Sequence, residues 1–576
     1  MRSFKLEQKC KLEIGKLFRA RSQVPTSLIF QTTSERRMKS TFLKHLIARS
    51  STLSITLFFA LFASSQLYAG GKPLLGMNTN EVMQVDSSVP FINLFKQALP
   101  FQESRQLTRG NIAYDRDGWP RSLNGGVAGT NLIHWLPAGT IPDGNYTVLY
   151  DGEGTLKYGD DAKLVSKSPG KEIVSIRSGA DKFFKVTLSI IKSNPKNYLR
   201  NIRLLPPGGI CANNPYRRVA NERACGGNYQ SFEKYHDQIL FNPDYLNFMR
   251  NFRVIRFMNM SGITRNPITS WNRMPRMSQA TWAGKEGLRG APLEVMVKLA
   301  NKLNSNPWFN IPHAADNNLV RQYALYVKKH LRPHLKPYIE YTNETWNNAF
   351  TQAHYTKTMG VKQRLDTNRA QAGHKFYVKR SLEIMRIWEQ VYGGSQRITR
   401  VLGGFSASPK MTELLLKYMN AYQRVDAFAI APYFYVHQRN LKGIKSVPDV
   451  FSLLKDPKNP YSLDNVYKML EKQMKVVRKY KVKLIAYEGG QHLVAAGTRS
   501  TRDYPNPFLI GANRAHPMEK MYIEFLQNWG RITGNQLFTV FSSPRTYQFY
   551  GSWGIKEHIN QPDNKAPKYR ALKRFF

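Results

Sequence analysis

The 576-residue chain has few cysteines and few acidic residues. Its three cysteines are Cys10, Cys211 and Cys225, and neither a Cys-x-x-Cys nor a His-Glu-x-x-His spacing occurs, so the sequence predicts no metal site and no other cofactor. Only 39 Asp and Glu oppose 85 Lys and Arg, which gives a net charge of +46. Because 42% of the residues are hydrophobic and 12% aromatic, the excess of basic residues belongs to a globular chain and not to a basic tail.

Long hydrophobic runs are also scarce, and the one that stands out lies near the start of the chain. Basic residues precede an apolar run at 53–63, and small and polar residues follow it as far as Ala69. This is the plan of a signal peptide, and it predicts cleavage after Ala69. The leader, 1–69, would include an N-terminal extension, with Met38 as a second candidate start. The alternative is an uncleaved membrane anchor, because the apolar run can be extended to about the lower length limit of a membrane-spanning helix.

Removal of the leader would place the chain in a secreted or periplasmic, oxidising compartment. Two cysteines would remain, and we expect Cys211 and Cys225 to form a disulfide; the alternative is a pair of free thiols. The mature chain would keep 73 basic and 36 acidic residues, a net charge of +37. This charge predicts nonspecific binding to anionic polymers or envelope surfaces at low salt. No recognition motif predicts specific nucleic-acid binding.

Strand-like and helix-like segments alternate from about residue 240 to the end of the chain, and a first strand is predicted near Leu74, followed by a helix at 89–98. Eight such units predict a parallel sheet with right-handed crossovers that closes as a (β/α)8 barrel. The barrel would begin within 70–129 and continue through 207–576.

Between these two parts, residues 130–206 show short β-like runs separated by turns, with no helical period. This texture predicts an antiparallel module inserted early in the barrel. The module would either bind sugar through Trp135 or Tyr150, or act as a structural brace.

One predicted strand end carries an Asn-Glu pair. Residues 338–346 read Tyr-Ile-Glu-Tyr-Thr-Asn-Glu-Thr-Trp. Alternation predicts that Ile339 and Tyr341 face the helices, while Glu340 faces the barrel interior and Glu344 ends the strand. This strand is the fourth of the eight, and its carboxyl end would lie on the catalytic face of a barrel.

A second strand end, the seventh, has the same form. Residues 483–491 read Lys-Leu-Ile-Ala-Tyr-Glu-Gly-Gly-Gln. Here we expect Leu484 and Ala486 to face the interior, Ile485 and Tyr487 the helices, with Glu488 at the tip. A closed barrel would bring Glu344 and Glu488 into one cleft. Paired carboxylates suit glycosidic cleavage, in which one protonates the leaving oxygen and the other attacks or activates water.

Several residues together resemble the retaining glycoside hydrolases of clan A: Asn343-Glu344, Glu488, Arg256 on strand 2, Tyr433 on strand 6 and Trp553 after strand 8. Longer strings at 146–154, 306–316, 338–346 and 487–491 resemble a group of poorly characterised secreted bacterial proteins often labelled cellulose-binding or hydrolase-like.

The resemblance implies Glu344 as general acid/base, Glu488 as nucleophile and Asn343 as a donor to the sugar 2-hydroxyl. It also implies Arg256 and Tyr433 as partners of the nucleophile. The chain departs from the pattern in one respect: many clan members place His two residues before the strand-6 Tyr, where this chain has Ala431.

Five further residues are candidates for contact with substrate. His313 and Gln491 follow strands 3 and 7, with a buried His and a loop-shaping Gln as the alternatives. Trp346 and Trp553, and with them Trp282, would stack on sugar faces or belong to the core. The sequence therefore predicts a secreted retaining hydrolase of a β-linked glycan. The alternative is a non-catalytic carbohydrate-binding protein on the same barrel.

Overall fold

The computed structural model describes residues 72–264, 268–284 and 289–576. Eight parallel strands form a closed barrel. Numbered 1 to 8 in chain order, the barrel strands are β1 (Leu75–Asn78), β14 (Val254–Arg256), β15 (Asn306–Ile311), β16 (Tyr338–Tyr341), β17 (Thr399–Gly403), β18 (Ala427–Ile430), β20 (Lys483–Ala486) and β22 (Phe538–Val540). Met77 of strand 1 lies beside both Ile255 and Val540, which closes the sheet and confirms the predicted (β/α)8 fold.

Eleven α-helices lie within the described ranges. They are α1 (Pro243–Met249), α2 (Leu293–Leu303), α3 (Asn317–His330), α4 (Thr351–Lys362), α5 (Arg369–Tyr392), α6 (Pro409–Lys417), α7 (Val447–Lys455), α8 (Leu463–Lys479), α9 (Asn506–Arg514), α10 (His516–Thr533) and α11 (Pro567–Lys573). None of these is both long and apolar enough to cross a membrane. The predicted leader, 1–69, lies outside the described residues.

Helix α3 shows why these segments fold as helices. Asp316 caps its first turn by accepting a hydrogen bond of 2.6 Å from the Leu319 amide, and three basic residues in its last turn complement the helix dipole. Its apolar residues Val320, Tyr323, Ala324 and Val327 recur at helical spacing and are all buried. The helix therefore presents one apolar face to the barrel wall.

The barrel strands are buried on both faces. On strand 7, Ile485 and Tyr487 lie in the interior cluster, whereas Leu484 and Ala486 pack with the outer helices. The predicted orientation of this strand was therefore wrong by one residue. The orientation of strand 4 was right, because Ile339 packs with the helical layer.

The first predicted helix, 89–98, was also wrong. That stretch holds only a single 3-10 turn, Leu94–Gln97. Val89 has a φ of 42°, which a right-handed helix excludes, and the preceding β-strand leads into a loop where Phe91 bridges to Phe241. Strand 1 is thus followed by a loop and the inserted module, and not by a barrel helix.

The inserted module is antiparallel, as predicted. The insertion between barrel strands 1 and 2 contains four antiparallel sheets of four, three, three and two strands, and two of these sheets lie outside the predicted bounds 130–206. The strands are β2 (Ala113–Tyr114), β3 (Pro120–Ser122), β4 (Ala128–Pro137), β5 (Gly144–Asp151), β6 (Gly154–Asp160), β7 (Ala162–Ser168), β8 (Lys171–Ile176), β9 (Phe183–Ser193), β10 (Arg200–Leu205), β11 (Gly209–Cys211), β12 (Asn214–Val219) and β13 (Tyr229–Ser231). Along β9, every second side chain from Phe184 to Ile190 is buried in the module core.

The disulfide is confirmed. Cys211 ends β11, and its sulfur joins that of Cys225, which lies 14 residues further along the chain, between β12 and β13. Two short strands beyond the barrel mouth complete the list, β19 (Tyr433–Phe434) and β21 (Gly490–Gln491). They pair in parallel, with Tyr433 beside Gly490, and extend barrel strands 6 and 7.

Candidate active site

The chain leaves strand 4 through two residues in the left-handed region. Thr342 has a φ of 52° and Glu344 a φ of 41°, which is rare for residues other than glycine. The turn is held from both sides: the Thr342 amide donates to the Ile311 carbonyl at 2.8 Å, and Gln352 donates to the Asn343 carbonyl at 2.8 Å. Strained backbone that its surroundings hold in place is a feature of functional sites.

Arg256, the last residue of strand 2, is the cation at the centre of the site. Its side chain is fully buried, and its guanidinium lies 3.0 Å from a Glu340 oxygen and 3.3 Å from a Glu488 oxygen. It also donates to the side-chain oxygens of Asn343 at 2.9 Å and Asn78 at 3.2 Å. Burial opposes the charge of Arg256, but the two carboxylates outweigh it and raise the pKa of the guanidinium.

Glu340 is the carboxylate that sequence reasoning left out of the site. One of its oxygens accepts hydrogen bonds from Arg256, from the Trp308 indole at 2.9 Å and from the Asn310 amide at 2.6 Å. These three donors come from neighbouring strands 2 and 3. Glu340 is therefore committed to protein contacts, and its role is to hold Arg256 in place.

Asn78 is a second residue of the site that the sequence analysis did not select. It ends strand 1, donates to the Tyr487 carbonyl at 2.9 Å and accepts from Arg256. The signal that could have found it is the polar end of an apolar run, Leu-Gly-Met-Asn, which is the same signal that Glu344 gives.

Glu488 lies two residues beyond the end of strand 7. One of its oxygens contacts Arg256, and the other accepts from the Tyr433 hydroxyl at 3.1 Å. Tyr433 is fixed because the pairing of β19 with β21 holds its backbone beside Gly490. A cation and a hydroxyl donor thus both favour the ionised form of Glu488.

Glu344 has a different environment. Its two oxygens accept from the Tyr487 hydroxyl and from the Asn347 amide, each at 2.8 Å. Within the part of the chain that the structure describes, Glu344 forms no ion pair. Since Tyr487 adjoins Glu488 in sequence and its hydroxyl contacts Glu344, the two carboxylates share one small region of the barrel mouth.

Both carboxylates hold protons more tightly than a solvated glutamate. Burial raises the pKa of Glu344. Burial, and then the charge of Glu344, also raises the pKa of Glu488. Two interacting buried carboxylates titrate as a pair, and the contacts of each one decide which of them keeps a proton when the pair holds one. Arg256 and Tyr433 contact Glu488, and only neutral donors contact Glu344, so we assign the charge to Glu488 and the proton to Glu344.

Three of the remaining predicted residues lie at half-buried positions. Trp553 donates its indole N–H to His492 at 3.2 Å, and Trp346 packs against Phe405 with ring centroids 4.6 Å apart. His313 packs edge-on against Tyr355, and burial lowers the pKa of its imidazole, so this side chain is neutral.

The other two are not accessible to a ligand. Gln491 is fully buried, and its amide donates to the Ser552 carbonyl at 2.8 Å while its oxygen accepts from the Leu493 amide at 2.9 Å. The prediction that Gln491 contacts substrate was therefore wrong, and it shapes the loop behind Glu488. Trp282 is also fully buried and belongs to the core.

No cluster of three or more His, Cys, Asp or Glu side chains suited to a metal ion occurs in the described ranges. Protein-family models and curated protein sequences give no match to the chain.

Solved structures do match, and three of them are clan A (β/α)8 glycoside hydrolases. A Thermobacillus composti GH10 xylanase matches at 10% identity and a TM-score of 0.33, covering 57% of this chain and 91% of its own. A family 1 β-glucosidase from Thermotoga maritima matches at 12% identity and a TM-score of 0.32, covering 58% and 85%. XacCel5A in complex with cellopentaose matches at 12% identity and a TM-score of 0.28, covering 57% and 88%.

Proposed function

We propose that this protein is a retaining β-glycoside hydrolase with Glu488 as nucleophile and Glu344 as general acid/base. One observation carries the proposal: two carboxylates from strands 4 and 7 meet at the barrel mouth in opposite environments. Arg256 contacts Glu488, and neutral donors alone contact Glu344. A nucleophile that must be ionised and an acid that must be protonated need this difference.

In the first step, a Glu488 oxygen attacks the anomeric carbon and the bond to the leaving oxygen breaks. Glu344 gives its proton to that oxygen, so the leaving group departs as a neutral alcohol. In the second step, the Glu344 carboxylate takes a proton from water as that water attacks the anomeric carbon, and the bond to Glu488 breaks. Both groups return to their starting states, and the sugar keeps its configuration.

Asn343 and Tyr433 have supporting roles in this proposal. Asn343 is anchored by Arg256 through its side-chain oxygen, which leaves its amide N–H free to donate to the sugar 2-hydroxyl. The Tyr433 hydroxyl orients Glu488 for attack. Export of the protein to an oxidising compartment belongs to the same proposal, and the disulfide between Cys211 and Cys225 supports it.

A hydrolysis screen tests the activity. The secreted wild-type protein is incubated with β-glucans, β-mannans and β-xylans, and reducing ends are counted. We expect cleavage of at least one polymer and none by Glu488→Gln. Binding of several glycans without cleavage of any would instead support a non-catalytic carbohydrate-binding protein.

The two carboxylates have separable roles, and Glu344→Gln shows them. This variant should lose about 10²–10⁴-fold on natural linkages, the range of general acid–base catalysis, and much less on activated aryl glycosides. Azide should then restore turnover and yield a glycosyl azide of retained configuration. Equal loss on both kinds of substrate, with no azide product, would remove Glu344 from the acid/base role.

A further inference from the structure

A row of rings leaves the site along the chain that follows strand 6. Tyr433, Tyr435 and His437 alternate with Phe434 and Val436. The first three are half-buried, and the last two lie in the core. Extended backbone therefore presents every second ring to one face, starting at the tyrosine that contacts Glu488.

Rings from three other segments join this row. Tyr461 stacks on Tyr435 with centroids 4.1 Å apart and lies parallel to His437 at 6.0 Å. On the other side, His492 packs against Tyr435 and against Trp553, each at 5.5 Å. We call these six half-buried rings the aromatic track: Tyr433, Tyr435, His437, Tyr461, His492 and Trp553. All six rings remain partly exposed, and this uncovered ring surface can contact the C–H faces of sugars.

The track ends at exposed cations. The Arg439 amide donates to the His437 ring at 3.3 Å, and Lys442 and Lys445 follow on the same loop. The Tyr504 hydroxyl donates to the Leu441 carbonyl at 2.5 Å, which ties the loop after strand 7 to this one. We call the exposed cations of the two loops the basic rim: Arg439, Lys442, Lys445, Arg499 and Arg502.

The basic rim keeps a net positive charge, with five cations against Asp449 near Lys445 and Asp503 near Arg499. None of its five side chains forms an ion pair in the described part of the chain, whereas Arg256, Arg400 and many other cations of the protein do. The two acidic residues nearest to the rim, Asp449 and Asp503, also accept hydrogen bonds from turn amides. Asp449 accepts from the Lys445 amide at 2.9 Å, and Asp503 accepts from the Arg499 amide at 2.6 Å.

We propose that the substrate is an anionic polysaccharide whose acidic groups bind to the basic rim while its sugar faces stack on the aromatic track. The inference rests on the hydrolase function proposed above and adds the chemical class of its substrate. Cations placed on the strand 6 and strand 7 loops lie on the same barrel face as Glu488. Because the rim lies at the end of the track that is remote from Tyr433, an acidic unit bound there would lie away from the cleaved bond, so the rim selects charge without adding a charge beside the two catalytic carboxylates.

Binding to matched ligands tests this directly. Glu488→Gln is used so that ligands are not consumed, and the ligands are β-1,3-glucan, β-1,4-glucan and β-1,4-mannan oligosaccharides. Each is prepared neutral, oxidised to the carboxylate at C6, and sulfated at C6. Calorimetry at 0.05 M salt should show tighter binding of a charged form than of its neutral parent on at least one backbone. Comparison of the carboxylated with the sulfated ligands shows which acidic group the basic rim binds.

A triple variant locates the effect. Adding Arg439→Gln, Lys442→Gln and Lys445→Gln should weaken binding of the charged form about tenfold, the sum of three exposed charge pairs, and leave the neutral form unchanged. The matched control is Lys163→Gln, Lys167→Gln and Lys192→Gln, which removes the same charge from exposed positions of the inserted module. It should leave both affinities within about twofold.

Four results would overturn the proposal. They are equal binding of neutral and charged forms, equal weakening by both triple variants, no binding of any oligosaccharide, or rim-dependent binding of single-stranded DNA as tight as that of the best glycan. Hydrolysis by the wild type is measured in parallel. Cleavage of neutral polymers at rates equal to those of charged ones would contradict the anionic substrate and leave the hydrolase function in place. Charge-selective binding without cleavage would contradict the hydrolase function and leave the anionic ligand class in place.

Discussion

Two arginines at opposite ends of the barrel each bridge two carboxylates. At the amino end, Arg400 of strand 5 contacts Glu389 at 2.7 Å and Asp426 at 2.9 Å, and Arg424 adds a second cation at 3.3 Å from Glu389. At the carboxyl end, Arg256 contacts Glu340 and Glu488. The amino-end group is balanced, two cations against two carboxylates, and it is partly solvated, with Asp426 36% exposed.

The carboxyl-end group is not balanced, and it is less solvated than the amino-end group. Three carboxylates, Glu340, Glu344 and Glu488, lie around one cation, Arg256, whose side chain is 0% exposed, and only Glu340 and Glu488 contact it in the described part of the chain. Buried negative charge without a counterion is costly, so Glu344 keeps a proton. The two ends of the barrel therefore differ in purpose: paired charges at the amino end stabilise the fold, and the unpaired carboxylate at the carboxyl end retains a proton for chemistry.

The largest effect is expected when the same substitution is made in each of the two arginines, because this tests whether the two ends of the barrel differ in function. Arg256→Lys keeps the charge but loses the planar fork that reaches Glu340, Glu488, Asn343 and Asn78 together. We expect kcat/KM to fall about 10²–10³-fold, the range for losing one preorganised donor. Arg400→Lys is the matched control and should keep kcat/KM within about twofold while lowering the melting temperature, because its pairs are partly exposed.

Steady-state kinetics and thermal melts of the two variants decide the matter. Similar losses of activity in Arg256→Lys and Arg400→Lys would show that the two ends do not differ in function.

A smaller change removes a single donor from Glu488. Tyr433→Phe takes away the hydroxyl at 3.1 Å and should lower kcat about 10–100-fold, because a hydrogen bond to a charged group contributes about 1.5–3 kcal/mol. KM should change little. Tyr245→Phe is the control, since its buried hydroxyl has no hydrogen-bond partner and lies on α1, away from Glu488. An unchanged kcat for Tyr433→Phe would remove Tyr433 from the proposed mechanism.

The shared proton predicts the pH profile of kcat/KM. At low pH both carboxylates are protonated and no nucleophile exists; at high pH the pair loses its last proton and no acid remains. Since burial raises both pKa values, both limbs should be displaced upward, with the acidic limb above the ordinary carboxyl value of 4.5. Glu344→Gln, assayed on aryl glycosides, should lose the alkaline limb. An alkaline limb that persists in this variant would assign the proton elsewhere.

The smallest effect on activity comes from a site outside both charge clusters. Cys211→Ser with Cys225→Ser opens a loop of 14 residues and should lower the free energy of unfolding by about 3 kcal/mol. Because the loop contributes no residue to the barrel mouth, kcat/KM should stay within about twofold. Urea denaturation and kinetics on the same preparation measure both, and a large loss of kcat/KM would link this loop to the site.

Sequence patterns were most informative where one face of a strand meets solvent. The module strands, such as β9, alternate buried and exposed residues, and this alternation predicted them. The barrel strands are buried on both faces, so strand 7 has no alternation to read, and its inward face was predicted as Leu484 and Ala486 in place of Ile485 and Tyr487. Strand 4 was oriented correctly because Glu340 marks its inner face.

The site was predicted in part for a similar physical reason. Glu344 and Glu488 were identified because each is a carboxylate at the polar end of an apolar strand. The family resemblance implied Arg256 and Tyr433 as partners of Glu488, but the residues alone do not predict these contacts, because they join strands that are far apart in the chain. Arg256 and Glu488 are 232 residues apart, and Tyr487 and Glu344 are 143 apart. No local pattern reports which of two such carboxylates receives the cation.

Trapping the glycosyl-enzyme tests most directly the assignment of Glu488 as the ionised nucleophile. The wild-type protein is incubated with 2-deoxy-2-fluoro-β-glycosyl fluorides of gluco, manno, xylo and glucurono configuration, which form the covalent intermediate but release it slowly. Intact mass and peptide mapping then locate the label. We predict one added glycosyl group on the wild-type protein, which peptide mapping places on Glu488, and no added group on Glu488→Gln. A label on Glu344 or Glu340, or no label from any of the four reagents, would contradict the assignment.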